Sequence, residues 1–392
     1  MSVPAPLHSA QAQAPTLGAL PDELLTQILS HLPSPRDLFS SCLVSKRMNK
    51  LADPLLHKSI SFNAPKHHLT FTESLITRPR RGSLIVNVRL EYPSHELSEF
   101  LNLGEDERVD RFSHAISTMS NLENLVVSVP ESLCKGIGTL FNGPFDLACL
   151  KTCSLFYQCE DGGYWDVQNN IHIFSHPTLE SLTLRRGRLD HRGFDALEKP
   201  EFTALKELHF IECDIDDDAL SDILLHPEAL REFTITQLAS PDPELEESPE
   251  DVEDYILALK SAQHSLESIT IDFPTLGAEN PLRLRDFEVL KSIQMRDYQL
   301  FGQKAPRMHG VGLPPLLETL EFLNPVGEDE EIMELLCYTV ENKEILARKW
   351  EKLIVVEGKE GIPQKVIEAC EGAGREFLNV VQEGDEEGDE ND

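Results

Sequence analysis

Three groups of residues in this 392-residue chain are of types that could do chemistry. Gly136 opens GIGTLFNG, which begins like a phosphate-binding loop, yet the closing GxxG spacing and the following Lys are missing, so the segment reads as a turn. His67 and His68 adjoin one another without Cys or carboxylates at ligand spacing; read as exposed loop residues, they need no metal. Eight cysteines, at 42, 134, 149, 153, 159, 213, 337 and 370, lie mostly inside apolar patterns and never as CxxC. Neither a zinc site nor a disulfide framework is therefore indicated, and reduced core cysteine in a protein of the cytoplasm and/or nucleus is the simpler reading. HExxH and GxSxG do not occur, and acid pairs are too abundant to single out a glycosidase dyad. The expectation is a protein with no catalytic residues of its own, no metal and no cofactor.

Composition narrows the partners. Lys and Arg total 35 against 68 Asp and Glu, a net charge of −33. Nucleic-acid binding gains its affinity from cations that neutralise phosphates, so nucleic acid is not expected as a partner. The same charge repels an anionic membrane surface, and no stretch reaches the ~18 apolar residues of a membrane span. Residues 1–15 carry no Lys or Arg and no long apolar run, and read as a flexible leader rather than a signal peptide. Residues 241–255 hold eight acids and no base, and residues 383–392 hold seven acids. Both are expected to be solvated, an insertion and a tail; attraction of basic partners or phosphorylation at Ser248 is the functional alternative.

The elements that would position a binding surface begin at Leu20. The text LPDELLTQILSHLPSPRDLFSSCLVSKRMNKLADPLLHKSI divides into three short helices. Pro21 suits a first helical position, and Asp22 with Glu23 favours the positive end of a helix dipole. Leu24, Leu25, Ile28, Leu29 and Leu32 then form an apolar stripe at helical spacing. Ser34, Pro35 and Asp37 open a second helix through Leu38, Cys42, Leu43 and Val44, and a third is expected from about Ser45 to Ala52, stopping before Pro54. So small a bundle cannot hide this many apolar side chains, and part of the stripe should meet a partner. An ordinary helical lead-in packed on the rest of the chain is the alternative.

LPDELLTQILSHLP, followed by DL and then LVSKRMNKLA, resembles the F-box, the adaptor-binding module of Skp, cullin and F-box ubiquitin ligases. The resemblance implies that Leu20 and Pro21 insert into the Skp adaptor. It gives Leu24, Ile28, Leu29, Leu32, Pro33, Leu38, Leu43 and Val44 the adaptor-facing and internal positions, and it implies a cullin and a RING protein beyond the adaptor. Ser45 stands where that family often has Cys, and Met48 where it often has Trp.

Downstream, apolar residues recur at positions one, four and six of a short unit. The copies are LENLVV from Leu122, LKTCSL from Leu150, LESLTL from Leu179, LKELHF from Leu205, LREFTI from Leu230, LESITI from Leu266, LKSIQM from Leu290 and LETLEF from Leu317, with weaker ones at Ile85 and Trp350. The unit from Leu205, LKELHFIECDIDDDALSDILLHPEA, resembles a leucine-rich repeat with its strand and helix, matching L-x-x-L-x-L-x-x-C-x-I position for position. Leu179 with Gly187 and Leu290 with Tyr298 repeat the outline. Such units cannot bury an apolar face alone, so neighbours stack into a solenoid.

The expected fold class is therefore α/β: a small all-α three-helix F-box at 16–60, then at 61–382 a leucine-rich-repeat-like solenoid with concave parallel strands and convex helices. A conventional α/β domain is the competing fold. Strand alternation directs positions three, five and seven of each unit to the concave side. These include Arg185, Glu207, His209, Ile211, Glu232, Asp272, Gln294 and Arg296. Of them, Arg185, His209, Ile211, Glu232, Asp272, Gln294 and Arg296 are the candidate contacts to an unidentified protein substrate, with Arg185, His209, Ile211 and Arg296 as the anchors. The expected function is substrate recognition for a Skp, cullin and F-box ubiquitin ligase. A non-catalytic adaptor or scaffold outside ubiquitination is the alternative, and a hydrolase would need a triad or metal that the sequence does not display.

Overall fold

The computed structural model describes residues 17–63, 65–92, 116, 118–131, 147–159, 162–192, 194, 202–238, 251–303, 312–359, 361–374 and 377–382. The expected leader 1–15, GIGTLFNG, the acidic residues 241–250 with Ser248, and the tail 383–392 lie outside the described residues.

Three helices come first: α1 (Asp22–Ser30), α2 (Pro35–Cys42) and α3 (Lys46–Lys58). Ser34 caps α2 by accepting from Arg36 N at 3.0 Å, and Ser45 caps α3 by accepting from Met48 N at 3.1 Å, so the serines that punctuate the sequence satisfy otherwise orphaned amides. α3 runs beyond the expected stop, with Pro54 inside it. Leu55 and Leu56 pack on the three-helix core of Leu29, Cys42 and Ala52, and that burial overrides the local cost of the proline. Arg47 ties α3 to α1, donating to Asp22 Oδ1 at 2.7 Å and to the Leu20 carbonyl at 2.6 Å.

The next elements are β1 (Ser59–Phe62), α4 (Pro65–Thr77), β2 (Asn87–Glu91), β3 (Asn124–Pro130), β4 (Thr152–Gln158), β5 (Trp165–Asp166), β6 (Ser181–Arg185), β7 (Gly187–Leu189), β8 (Glu207–Ile211) and β9 (Asp214–Ile215). Then follow α5 (Asp217–Ile223), β10 (Glu232–Thr236), α6 (Val252–Leu259), β11 (Ser268–Asp272), β12 (Ser292–Met295), α7 (Asp297–Phe301), β13 (Thr319–Pro325), α8 (Glu330–Glu341), α9 (Lys343–Leu346), β14 (Lys352–Glu357), α10 (Gln364–Ala373) and β15 (Leu378–Gln382). Among the described residues, twelve strands form one sheet in chain order, β1-β2-β3-β4-β6-β8-β10-β11-β12-β13-β14-β15, and every pairing is parallel. A second ladder, β5-β7-β9, runs beside it.

Within each sheet every strand pairs with the next strand of that sheet along the chain, as a solenoid-like repeat requires and a doubly wound α/β sheet does not. The apolar triplets explain it. From Ile85, Val88 and Leu90 to Trp350, Leu353 and Val355, no residue at positions one, four and six of the ten units is more than 4% exposed. Their side chains meet in stacked layers, as where the Phe210 ring lies 6.2 Å from that of Phe174 and 6.3 Å from that of Phe233. Strands lie ~4.8 Å apart while packed helices need ~8–10 Å, so an array with helices on one side bends toward its strands, and the open sheet face is the concave one.

Position eight turns the chain out of the main sheet. Arg186 and Glu212 both have positive φ, 51° and 55°, and the residues after them enter the second ladder. There Gly187 N donates to the buried Cys213 Sγ at 3.3 Å, and a Cβ on Gly187 would stand 2.6 Å from Val167 Cγ2, which is why glycine occupies the place of a cysteine in that unit. Burial pushes the Cys213 thiol up to about 12, so it acts as core filling.

Two expectations need correction here. The segment 241–255 is not an insertion to its end: Asp251 caps α6 and Tyr255 is fully buried with its hydroxyl on the Ile215 carbonyl at 2.7 Å, because Val252, Tyr255, Ile256 and Leu259 make a helical stripe that the acid count obscured. His67 and His68 belong to helix α4, not to a loop, and His67 is exposed.

One buried acid joins two repeats. Asp297, 3% exposed, accepts from Asn324 Nδ2 at 2.8 Å and from Tyr298 N at 2.6 Å, while Asn324 Oδ1 accepts from Asp297 N at 2.9 Å. Burial, opposed by the Asn324 bond and reinforced by Glu328 and Asp329, pushes its carboxyl up to about 6. The folded form thus holds its proton more tightly than the unfolded one, so this contribution to stability is full below about pH 4 and is lost as pH rises through about 6. Asp297→Asn keeps the acceptor and removes the charge. Urea unfolding at pH 7 should show the variant more stable than wild type, with the gap closing toward pH 4; a variant less stable than wild type at pH 7 would contradict this.

Candidate adaptor and target surfaces

Two surfaces stand out, one at each end of the chain's logic. On the three-helix segment, Leu24 and Ile28 lie one turn apart on α1, 47% and 45% exposed, and line a groove of about 410 Å³ with Leu20, Gln27 and His31. Leu43 and Val44, in the turn between α2 and α3, are more exposed still at 72% and 73%. The Arg47 bonds to Asp22 and Leu20 hold this turn near the N-terminal end of α1. Pro21 and Pro33 are also exposed, whereas Leu20, Leu32 and Leu38 are half-buried, the last two against the helical core. Leu29 is corrected from a possible contact to a core residue: at 3% exposure it fills the bundle, since i+4 from Leu25 puts it on the inward side of α1. Leu17 and Phe39, both exposed, were missed because they fall outside the apolar stripe. A cluster this apolar on the surface of an acidic chain marks a contact site.

Residues 17–63 match the F-box-like family model. The N-terminal segment is an F-box-like domain. A 47-residue stretch is 51% identical to the F-box protein DAS1 of Saccharomyces cerevisiae, covering 12% of this chain and 7% of that relative. The chain therefore carries an F-box-like domain joined to an α/β parallel-sheet repeat region, and the matched segment extends past the expected boundary at residue 60, into β1.

The second surface is the open face of the sheet. In β6, β8, β10, β11 and β12 the residues at positions four and six are buried, and those at three, five and seven face outward. The pairing sets Ser181, Glu207, Glu232, Ser268 and Ser292 in one row, and Thr183, His209, Thr234, Thr270 and Gln294 in the next. Glu207 and Glu232, both exposed, stand directly opposite each other, while Gln294 accepts from the Thr270 hydroxyl at 3.2 Å. Arg185 and Ile211 are register partners beside Phe156.

Arg296 and Asp272 are brought together, and differently from a free recognition row: Arg296 Nε lies 2.8 Å from Asp272 Oδ1, and both side chains are largely covered. Arg185 and Arg296 stand four strands apart, ~19 Å at sheet spacing, so they cannot serve one small anchor. Phe156, absent from the expected anchors, was legible by the same rule, as position seven of the unit from Leu150. Among the described residues no group of three or more His, Cys, Asp or Glu could hold a metal ion, and no helix is long and apolar enough to cross a membrane.

Proposed function

We propose that this chain is a substrate-recognition subunit of a Skp, cullin and F-box ubiquitin ligase. The F-box-like domain docks on a Skp adaptor, through it on a cullin and a RING protein, and the open sheet face holds the protein to be ubiquitinated. The observation that supports this most is the exposed set of Leu24, Ile28, Leu43 and Val44 in a segment matched by the F-box-like family. The chain need do no bond chemistry of its own. Holding a target lysine near a charged ubiquitin carrier raises its effective concentration, which is where the rate gain arises. Neither nucleic acid nor membrane is a partner in this reading, which places the protein in the cytoplasm, the nucleus or both.

The test is affinity capture from cells with the proteasome blocked, comparing wild type with Leu20→Ala and Pro21→Ala combined. Proteins that accumulate with wild type and carry ubiquitin should remain bound to the double variant but lose their ubiquitin. Ubiquitination that persists unchanged on the double variant would favour the alternative, a scaffold without a role in ubiquitination.

A further inference from the structure

The open face carries one site built for a charge opposite to that of the protein. β4, β6 and β8 place Phe156, Arg185 and Ile211 side by side at position seven. The Arg185 guanidinium lies over the Phe156 ring, 5.2 Å from its centroid, and its side chain is 49% exposed. Glu212 meets it through Arg185 Nε and Nη2, each 3.2 Å from one carboxylate oxygen, and the same oxygen also accepts from Arg186 Nε at 3.1 Å. Among the described residues, two guanidiniums share this one carboxylate. Burial works against the charge of Glu212, yet the bonds from Arg186 and Arg185 hold its carboxyl below the usual range. Arg186 spends its Nη1 on the Gly162 carbonyl at 2.7 Å, whereas Arg185 Nη1 bonds nothing among the described residues.

The backbone under this group is fixed. The buried Trp165 donates from Nε1 to the Arg185 carbonyl at 2.7 Å, and Arg186 N donates to the Ile211 carbonyl at 3.0 Å. A stacked, pre-positioned guanidinium loses little freedom on meeting an anion, and its planar fork suits carboxylate and phosphate oxygens alike. Phe156 and Ile211, both half-buried, flank it with apolar surface. Arg next to aromatic and aliphatic surface is the composition in which binding energy concentrates.

We infer that Phe156, Arg185 and Ile211 form the anchor for a target segment in which an anionic group, carboxylate or phosphate, stands beside an apolar side chain. This rests on the reading of the open face as the target-binding surface. The anion takes Arg185 Nη1, which bonds nothing among the described residues, while the apolar side chain covers Phe156 or Ile211.

The probes are four degenerate twelve-residue peptide libraries with a fixed central Leu-Glu, Leu-phosphoserine, Leu-Gln or Leu-Lys pair, passed over the immobilised full chain. Retention of the Leu-Glu or the Leu-phosphoserine library should exceed that of Leu-Gln by about tenfold, as one charge-assisted pair gives, and Leu-Lys should be retained least. Whichever anionic library is retained more identifies carboxylate or phosphate as the source. Arg185→Gln should bring both down to the Leu-Gln level. Equal retention of Leu-Gln, no retention of either anionic library, or binding undiminished by Arg185→Gln would overturn the inference. Thr234→Trp, which fills the open face two strands away, separates the two claims. If it abolishes retention while Arg185→Gln does not, the anion anchor is wrong and the open face stands; if neither variant matters, the open-face reading fails as well.

Discussion

Leu24→Asp combined with Ile28→Asp should strip the Skp adaptor from the full chain. Both side chains are already about half exposed, so a charge at either position costs the free fold little. In the proposed complex with the adaptor the same positions become apolar contact. With about half of each side chain left to bury, losing both contacts removes roughly 1.5–3 kcal/mol, about one to two decades of affinity, before the cost of burying an unpaired carboxylate is added. Copurification from cells should fall to background while the thermal unfolding curve of the purified chain stays within a degree or two of wild type. Undiminished copurification would show that the α1 surface is not the docking site. The contrast is Leu29→Asp, which should unfold the bundle outright because Leu29 is core.

Phe233→Ala is expected to have a large effect on the stability of the repeat region. Phe233, at position four of the unit from Leu230, is fully buried in β10, its ring packed edge-on against Phe210, and β10 is held by β8 on one side and β11 on the other. Truncating such a ring costs about 3–5 kcal/mol, a large part of the ~5–15 kcal/mol that holds a folded protein together. In a repeat array each unit depends on its neighbours, so the loss at the middle should also loosen the units beside it. Urea unfolding should show a lowered midpoint. Hydrogen exchange should show faster opening in β8, β10 and β11 than in β2 or β14. A change under about 1 kcal/mol, or exchange that quickens uniformly, would mean that the units are not stacked as described.

The repeat region was legible in the sequence because its signal is period and order rather than any single residue. Leu205, Leu208 and Phe210 alone could begin a strand in many folds; ten such triplets in order specify a stack, and all ten enter one sheet. Pro54 misled because its local cost is visible in the sequence while the burial of Leu55 and Leu56 that outweighs it is not. The acid run at 241–255 misled at its end for a related reason: the spacing of Val252, Tyr255, Ile256 and Leu259 carried more weight than eight charges. β1 and β15 escaped notice because each is an edge strand paired on one side and has no complete apolar triplet.

At the sites, residue type and spacing showed which side chains face outward but not which are already engaged. Arg185 and Arg296 occupy equivalent positions in their units, yet the Arg296 side chain is 21% exposed against Asp272 whereas that of Arg185 is 49% exposed over Phe156. That difference depends on the neighbour across the sheet, 24 or more residues away in the chain. Likewise Leu25 and Leu29 share the stripe of Leu24 and Ile28 but turn inward, a matter of about a hundred degrees around one helix.

The most direct measurement is size-exclusion chromatography with light scattering on the full chain, produced alone and together with a Skp adaptor. The proposed role requires a one-to-one complex with the adaptor that survives the column, and poor solubility of the chain made alone, since Leu24, Ile28, Leu43 and Val44 are then left in water. A stable, monodisperse monomer that does not take up the adaptor would contradict it.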